Sequence, residues 1–227
     1  MAEFDDYADD YVDALQQGLK YSGEDATYFA NARVLWLARR LEELRFVPRS
    51  LLDFGCGSGA STPFFFSTLN VVEVTGIDAS HRLLEVARRE HGSPRATFVL
   101  RDGYRPKGQA DIAFCNGVFH HIQPSERADA LDFVSRALRP GGLFAFWENN
   151  PWNPATRFVM SRIPFDRDAI TIPPPEARQL LRKAGFEIVR SDYLFFFPRI
   201  LRWLRPLERG FAGIPMGAQY LVLARKP

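Results

Sequence analysis

The residues of this sequence that could do chemistry stand where short apolar runs end. In LLDFGCGSGAST (residues 51–62), Asp53 is followed by Gly55, Gly57 and Gly59 at alternate positions. Glycine has no Cβ, so a loop built this way can turn tightly or let the backbone approach a ligand. Asp78 ends the run VEVTGID, nineteen residues past Gly59. An acid at that distance can take both hydroxyls of a ribose. Asp102-Gly103, Asn116-Gly117 and Glu148-Asn149-Asn150 close three further runs. Any one of these is as well explained by a cap or a turn. Five in register, with a glycine loop at the first, point to a ligand lying across the strand ends.

Such a row needs strands to carry it. SLLDF, VEVTGID, ATFVLRD, ADIAFCN and GLFAFWEN read as strands, and HRLLEVARREH and SERADALDFVSRALRPGG as helices between them. The region after residue 173 adds a helix (PEARQLLRKAG) and two strands (FEIVRSDYLFFF and AQYLVLARK). Strand and helix in alternation predict an α/β, doubly wound, mostly parallel seven-stranded sheet, in which ligands sit at the carboxyl ends of the strands. Residues 5–19 and 26–45 read as two helices, the second with Phe29, Val34, Leu37, Leu41 and Leu44 on one face. The expected organisation is a single domain over 1–227, with helical residues 1–45 ahead of a core over 46–150 and an insertion with the last two strands over 151–227.

Two nucleoside ligands compete for the pattern. A dinucleotide fingerprint can be laid on Gly55, Gly57 and Ala60 with Asp78 as the ribose acid. It leaves Asp53 facing a pyrophosphate that it would repel, and Asp102 idle. A nucleoside with a cationic amino-acid tail and no phosphate suits all three acids, and S-adenosylmethionine is such a ligand.

On LLDFGCGSG, VTGIDAS, TFVLRDG, ADIAFCNGVFHHI and LRPGGLFAFWE, in that order, the chain resembles the class I S-adenosylmethionine-dependent methyltransferases of small-molecule type. The resemblance covers residues 45–150 well and the flanks loosely. It implies their Rossmann-like fold and cofactor. The loop Gly55, Cys56, Gly57 and Gly59 would lie along the methionine portion. Asp78, beside Ala79, would hold the ribose hydroxyls, and Leu83 would pack on adenine. Asp102 and the Gly103 backbone would read the adenine edge. The main chain near Asn116, helped by Asp53, would bind the methionine ammonium.

Methyl transfer from a cationic sulfur needs no acid for the leaving group, so the protein's main task is to hold the nucleophile in line. His120 and His121 follow the fourth strand and are the candidate general bases, the competing account being that they shape the loop and cap the next helix. In WENNPWNPATR (147–157), Asn149, Asn150 and Asn153 are candidates for hydrogen bonds to the acceptor, or simply turn residues. Tyr11, a candidate substrate residue, lies with Tyr7, Tyr28 and Arg33 in the N-terminal helical segment 1–45, which would resemble the lid that excludes water from the cofactor-binding core (46–150) and the substrate-side insertion in this family. Helix core is the competing account for Tyr28. The expected acceptor is a small or lipid-like molecule methylated at oxygen or carbon. An NAD(P)-dependent oxidoreductase and a non-catalytic cofactor-binding regulatory protein are the alternatives.

The stretch 198–211, PRILRWLRPLERGF, has four arginines and one glutamate. Ile200, Trp203, Leu204, Leu207 and Phe211 share one helical side and the arginines the other. A helix packed on the domain is the first expectation; a cover over the acceptor, or weak contact with an anionic membrane surface, is the second.

Composition narrows the class. Hydrophobic residues at 46 % and charged residues at 25 % are globular usage. A net charge of +2, with no basic stripe, argues against a nucleic-acid substrate. Cys56 and Cys115 are too few for a disulfide framework, and no signal peptide or membrane span is read, so a cytoplasmic setting is expected. No His, Cys or acid spacing suggests a metal, and the sequence does not indicate the oligomeric state.

Overall fold

The computed structural model describes residues 18–227; Tyr7, Tyr11 and most of the helix predicted over 5–19 lie outside the described residues. Seven strands form one sheet: β1 (Ser50–Phe54), β2 (Glu73–Asp78), β3 (Ala96–Leu100), β4 (Ala110–Asn116), β5 (Leu138–Asn149), β6 (Glu187–Leu194) and β7 (Gln219–Arg225). Their order is β3-β2-β1-β4-β5-β7-β6. Strands β1 to β5 are parallel to their neighbours, whereas β7 runs antiparallel to both β5 and β6. The sheet is therefore doubly wound and mostly parallel, with its strand order reversing between β1 and β4.

Alternation along each strand divides the core. Leu51, Ile112, Phe114, Ala145 and Trp147 pack against α1 (Ala26–Glu43) and α2 (Thr62–Thr68). Leu52, Phe54, Ala113, Cys115, Phe144 and Phe146 pack on the other face, under α4 (Arg127–Ala137) and α6 (Pro174–Lys183). Helix α3 (His81–His91) covers β2 and β3 with Leu84 and Ala87. Because both faces are covered, the strands read as near-continuous apolar runs.

Helix α1 begins at Asp25, whose side chain accepts from Tyr28 N at 2.7 Å. At its other end it is tied to the edge strand by Asp192, buried on β6, which accepts from Trp36 Nε1 at 2.9 Å and Arg40 Nε at 2.7 Å.

Three expectations need correction. The helix predicted from 125 to the breaker PGG (140–142) ends at Ala137, because Leu138 already pairs with Ala110 and the PGG segment runs into β5. The strand predicted over 186–197 ends at Leu194, where Phe195 turns the chain with φ 63°. The amphipathic helix predicted over 198–211 is a 3₁₀ segment, Arg199–Leu207, irregular at Leu201, followed by a short α7 (Glu208–Phe211). Its apolar side is turned outward, with Ile200 85 % and Trp203 72 % exposed. Polar contacts set that orientation: Arg205 pairs with Glu24 at 2.9 Å, Arg199 donates to Gly23 O, and Glu208 accepts from the amides of Phe196 and Phe197.

Between β5 and α6 the chain forms α5 (Pro154–Met160), an element the sequence reading treated only as turns, and a loop containing Asp166.

Candidate active site

A cavity of about 710 Å³ opens at the carboxyl ends of the strands, beside the β1–β4 switch point. It has two chemically different halves.

One half is made by β1, β2, β4 and the loops that follow them. Gly55 and Cys56 donate to Ile77 O at 2.8 and 3.0 Å, folding the glycine loop back over β2. Gly55 has φ 72°, and a Cβ there would lie 2.3 Å from Val118, so no side chain fits. Gly57, φ 52°, has nothing within 4 Å of its Cβ position and lines the cavity. The Gly57 amide donates to Asp78 Oδ2 at 2.8 Å and the Ser80 amide to Asp78 Oδ1 at 2.9 Å. Both carboxylate oxygens are thus fixed at the cavity wall. Ala79, Leu83 and Asn116 also line this half, and Asn116 Oδ1 is buried with no hydrogen-bond partner. A buried acceptor in that state costs about 1–3 kcal/mol and is satisfied by a donor on a ligand.

The remaining predicted residues stand back from the cavity. Asp53 is buried behind the loop on the α1 side of β1; burial and the Asp78 carboxylate push its pKa up to about 8, against the pull of Arg33. The Cys56 thiol packs with Leu84, Ala87 and Phe98. Gly59 lies against Phe98 and His91. The Asp102 side chain is 94 % exposed beside Arg101, and it is Arg101, not Asp102 or Gly103, that lines the cavity.

The second half is bounded by the β4–α4 and α5–α6 loops and by Phe195–Phe197. His120 is buried, and its Nδ1 lies 2.5 Å from Glu148 Oε2, while Glu148 Oε1 accepts from Phe119 N at 2.8 Å. On the other side, His120 Nε2 is 3.4 Å from Asp166 Oδ1, within ion-pair range but without the alignment of a hydrogen bond. His121 Nε2 is 3.2 Å from the same oxygen. Burial alone would lower the His120 pKa, but Glu148 and Asp166 outweigh it and push it up to about 10. Burial would likewise raise the Asp166 pKa, and the two histidines hold it below the usual carboxylate range. With carboxylates facing both ring nitrogens, His120 is held toward its protonated form, which does not suit the base role expected of it.

The asparagines divide. Asn149 lines the cavity and accepts from Gln219 Nε2 at 3.0 Å. Asn150 is buried; its Nδ2 donates to Pro215 O and Gly217 O, and its Oδ1 accepts from Trp152 N. Asn153 lies at the wall, but its Oδ1 caps α5 through Thr156 N at 3.1 Å and its Nδ2 donates to Met216 O at 2.7 Å. With both polar groups engaged in holding the turn, Asn150 and Asn153 are structural rather than substrate-binding. Tyr11 lies outside the described residues. The sequence reading missed Glu148 and Asp166 as partners of the histidines. It also missed Gln219, which accepts from Arg33 Nη1 at 2.9 Å and lines the cavity with it.

Residues 52–146 match the family model described as a methyltransferase domain. A trans-aconitate 2-methyltransferase of Rhizobium leguminosarum bv. trifolii is 33 % identical over 99 residues, covering 43 % of this chain; the chain spans only 37 % of that relative's length. An uncharacterized methyltransferase of Synechocystis sp. is 29 % identical over 162 residues, 66 % of this chain and 73 % of its own. Among solved structures, an S-adenosylmethionine-dependent methyltransferase of Thermotoga maritima superposes with TM-score 0.67 at 18 % identity, covering 99 % of this chain and 98 % of that one. Phosphoethanolamine N-methyltransferase 2 of Haemonchus contortus, solved with S-adenosyl-L-methionine, gives TM-score 0.65 at 16 % identity over 100 % of this chain and 60 % of its own. At these identities the structural likeness is one of fold. The sheet order, the glycine-lined cavity and the matched domain converge: residues 52–146 are a methyltransferase domain, carried on the Rossmann-like fold of the class I S-adenosylmethionine-dependent methyltransferases.

Proposed function

We propose that the protein transfers the methyl group of S-adenosylmethionine to a small, largely apolar acceptor held in the second half of the cavity, at oxygen or carbon. The observation that carries this reading is the pairing of two unlike halves in one cavity: an anchored Asp78 carboxylate with the unpartnered Asn116 Oδ1, and beyond them a histidine–carboxylate cluster. Asp78 takes the ribose hydroxyls, the adenine packs on Leu83, and the ammonium donates to Asn116 Oδ1. Arg33 takes the carboxylate of the amino-acid tail. Asp53, buried behind the loop and held neutral, makes no direct contact with the cofactor.

The acceptor meets Phe165, Phe158 and Phe195–Phe197 with its body and the His121–Asp166 pair with its reacting end. His121, oriented by Asp166, takes over the base role expected of both histidines. The matched Rhizobium relative is named for a tricarboxylate. The phenylalanine wall, and the pairing of Arg205 with Glu24, favour a more apolar acceptor here. The methyltransferase-domain match over residues 52–146 weighs against a nicotinamide dinucleotide. The outward Ile200 and Trp203, with the exposed Arg202 near them in sequence, support the second reading, that 198–211 touches an anionic membrane surface. Among the described residues no helix is long and apolar enough to cross a membrane.

The test is calorimetric titration with S-adenosylhomocysteine and, separately, NADH, followed by methyl transfer from labelled S-adenosylmethionine to a panel of hydroxylated and carbon-acid acceptors. Binding of S-adenosylhomocysteine alone, with turnover of an apolar acceptor, is the expected result. Binding of NADH alone overturns it. Binding of S-adenosylhomocysteine with no turnover across the panel favours a regulatory protein.

A further inference from the structure

We propose that His120, His121 and Asp166 form a site for a divalent transition-metal ion, with zinc as the ion to test, at the acceptor end of the cavity. Two imidazoles and a carboxylate are a donor set that such ions take up, and three protein ligands leave a coordination position for an exogenous group. The spacing fits. Bonds of about 2.0–2.1 Å at tetrahedral angles put neighbouring ligand atoms roughly 3.3 Å apart. Asp166 Oδ1 lies 3.4 Å from His120 Nε2 and 3.2 Å from His121 Nε2. The candidate ligand atoms all fall within 4.8 Å of one another.

The surroundings agree with the spacing. His120 Nε2 is buried and makes no hydrogen bond, and its ion-pair partner, Asp166 Oδ1, belongs to the same donor set. Its Nδ1 is held by Glu148, itself anchored by the Phe119 amide. A carboxylate behind a histidine in this way fixes the ring and leaves Nε2 to the metal, which is how ligating histidines are held. Asp166 and Glu148 are both buried and together supply the negative charge that a cation would balance. The Asp166 loop is fastened to the site by Ile170 N donating to His120 O at 2.9 Å, so the ligand from the α5–α6 loop is delivered to the β4 loop by the backbone.

This rests on the reading of the second half as the acceptor's seat. A bound ion would receive an acceptor oxygen, lower its pKa and so replace His121 as the means of activating it. The sequence offered no such site, because His121 and Asp166 are 45 positions apart with no ligand motif between them.

The experiment uses the full chain, stripped with a chelator and titrated with zinc chloride, read by calorimetry and by thermal melting. Cobalt substitution, read by visible d–d absorption, reports coordination independently of catalysis. S-Adenosylhomocysteine binding is measured on every sample. One equivalent of zinc is expected, with binding weakened about ten-fold or more in both Asp166→Asn and His121→Ala. In both variants S-adenosylhomocysteine binding should be retained. Either of two results overturns the site: no zinc or cobalt uptake by wild-type protein that binds S-adenosylhomocysteine normally, or uptake unchanged in both variants. Zinc uptake without S-adenosylhomocysteine binding would keep the metal site and sink the methyltransferase reading, so the two failures are distinguishable.

Discussion

The two halves of the cavity are built in opposite ways. On the cofactor side the chain uses its backbone: Gly55 and Cys56 donate to Ile77 O, and Gly57 and Ser80 clamp Asp78, all within one β1–β2 unit and the turn after it. On the acceptor side it uses side chains brought from β4, β5 and the α5–α6 loop: His120 and His121, Glu148, and Asp166. Backbone recognition fixes a ligand whose shape does not change. Side-chain recognition can be altered one residue at a time, so the acceptor is the part of the chemistry most open to variation.

If the halves are separable, a lesion in one should spare the other. The largest effect is expected from His121→Ala, which should lower turnover of an identified acceptor by about 10²–10⁴-fold while leaving S-adenosylhomocysteine affinity within about two-fold. Single-turnover kinetics and titration of the same preparation check both. Asp78→Ala should do the reverse, weakening S-adenosylhomocysteine about 100-fold through lost charged hydrogen bonds and release of the Gly57 amide. A variant that lost zinc binding as well would show the halves to be coupled. Gly57→Val should be milder, about ten-fold on the same affinity, since φ 52° is strained for a β-branched residue and the new side chain enters the cavity.

This comparison also marks what was legible beforehand. The cofactor half could be read because a glycine loop, a strand and an acid stand in one short stretch, where spacing reports geometry. Asp53 and Asp102 were read into the cavity from the same spacing, yet one is buried behind the loop and the other faces solvent, because spacing does not say which way a side chain leaves the strand end. Glu148 was noticed only as one more polar strand end, and Asp166 had no local signal at all. The sheet was legible through its apolar runs. The 198–211 segment was misjudged because its periodicity gave two faces without saying which was inward, and the ion pair of Arg205 with Glu24 and the clamp by Glu208 turned Arg205 toward the domain and left Ile200 and Trp203 outside.

Asp53 sharpens the comparison through pH. Its pKa is near 3.8 unfolded and about 8 folded, so the native state holds a proton that the unfolded chain gives up. The stability this contributes is complete below about pH 3.8 and is lost as pH rises through about 8. Asp53→Asn should flatten that decline, raising stability at pH 8 by roughly 1 kcal/mol or more, as read by urea melts across the range. An unchanged slope would mean that the carboxyl is not held neutral. The smallest effect concerns the outer wall. Trp203→Ala should reduce sedimentation with anionic vesicles by about two- to three-fold and leave neutral vesicles unaffected. Equal binding to both, or to neither, removes the membrane from consideration.

The reversed direction of β7 has a practical side. Gln219 enters the sheet at the cavity, and Arg225 leaves it opposite Leu143, with Lys226 donating to Ser135 O and Leu138 O at the far pole. Whatever is attached after residue 227 departs from the pole opposite the mouth. A chip-bound or bead-bound sample tethered there would present every cavity outward, so that ligand kinetics and metal uptake could be followed on one oriented surface.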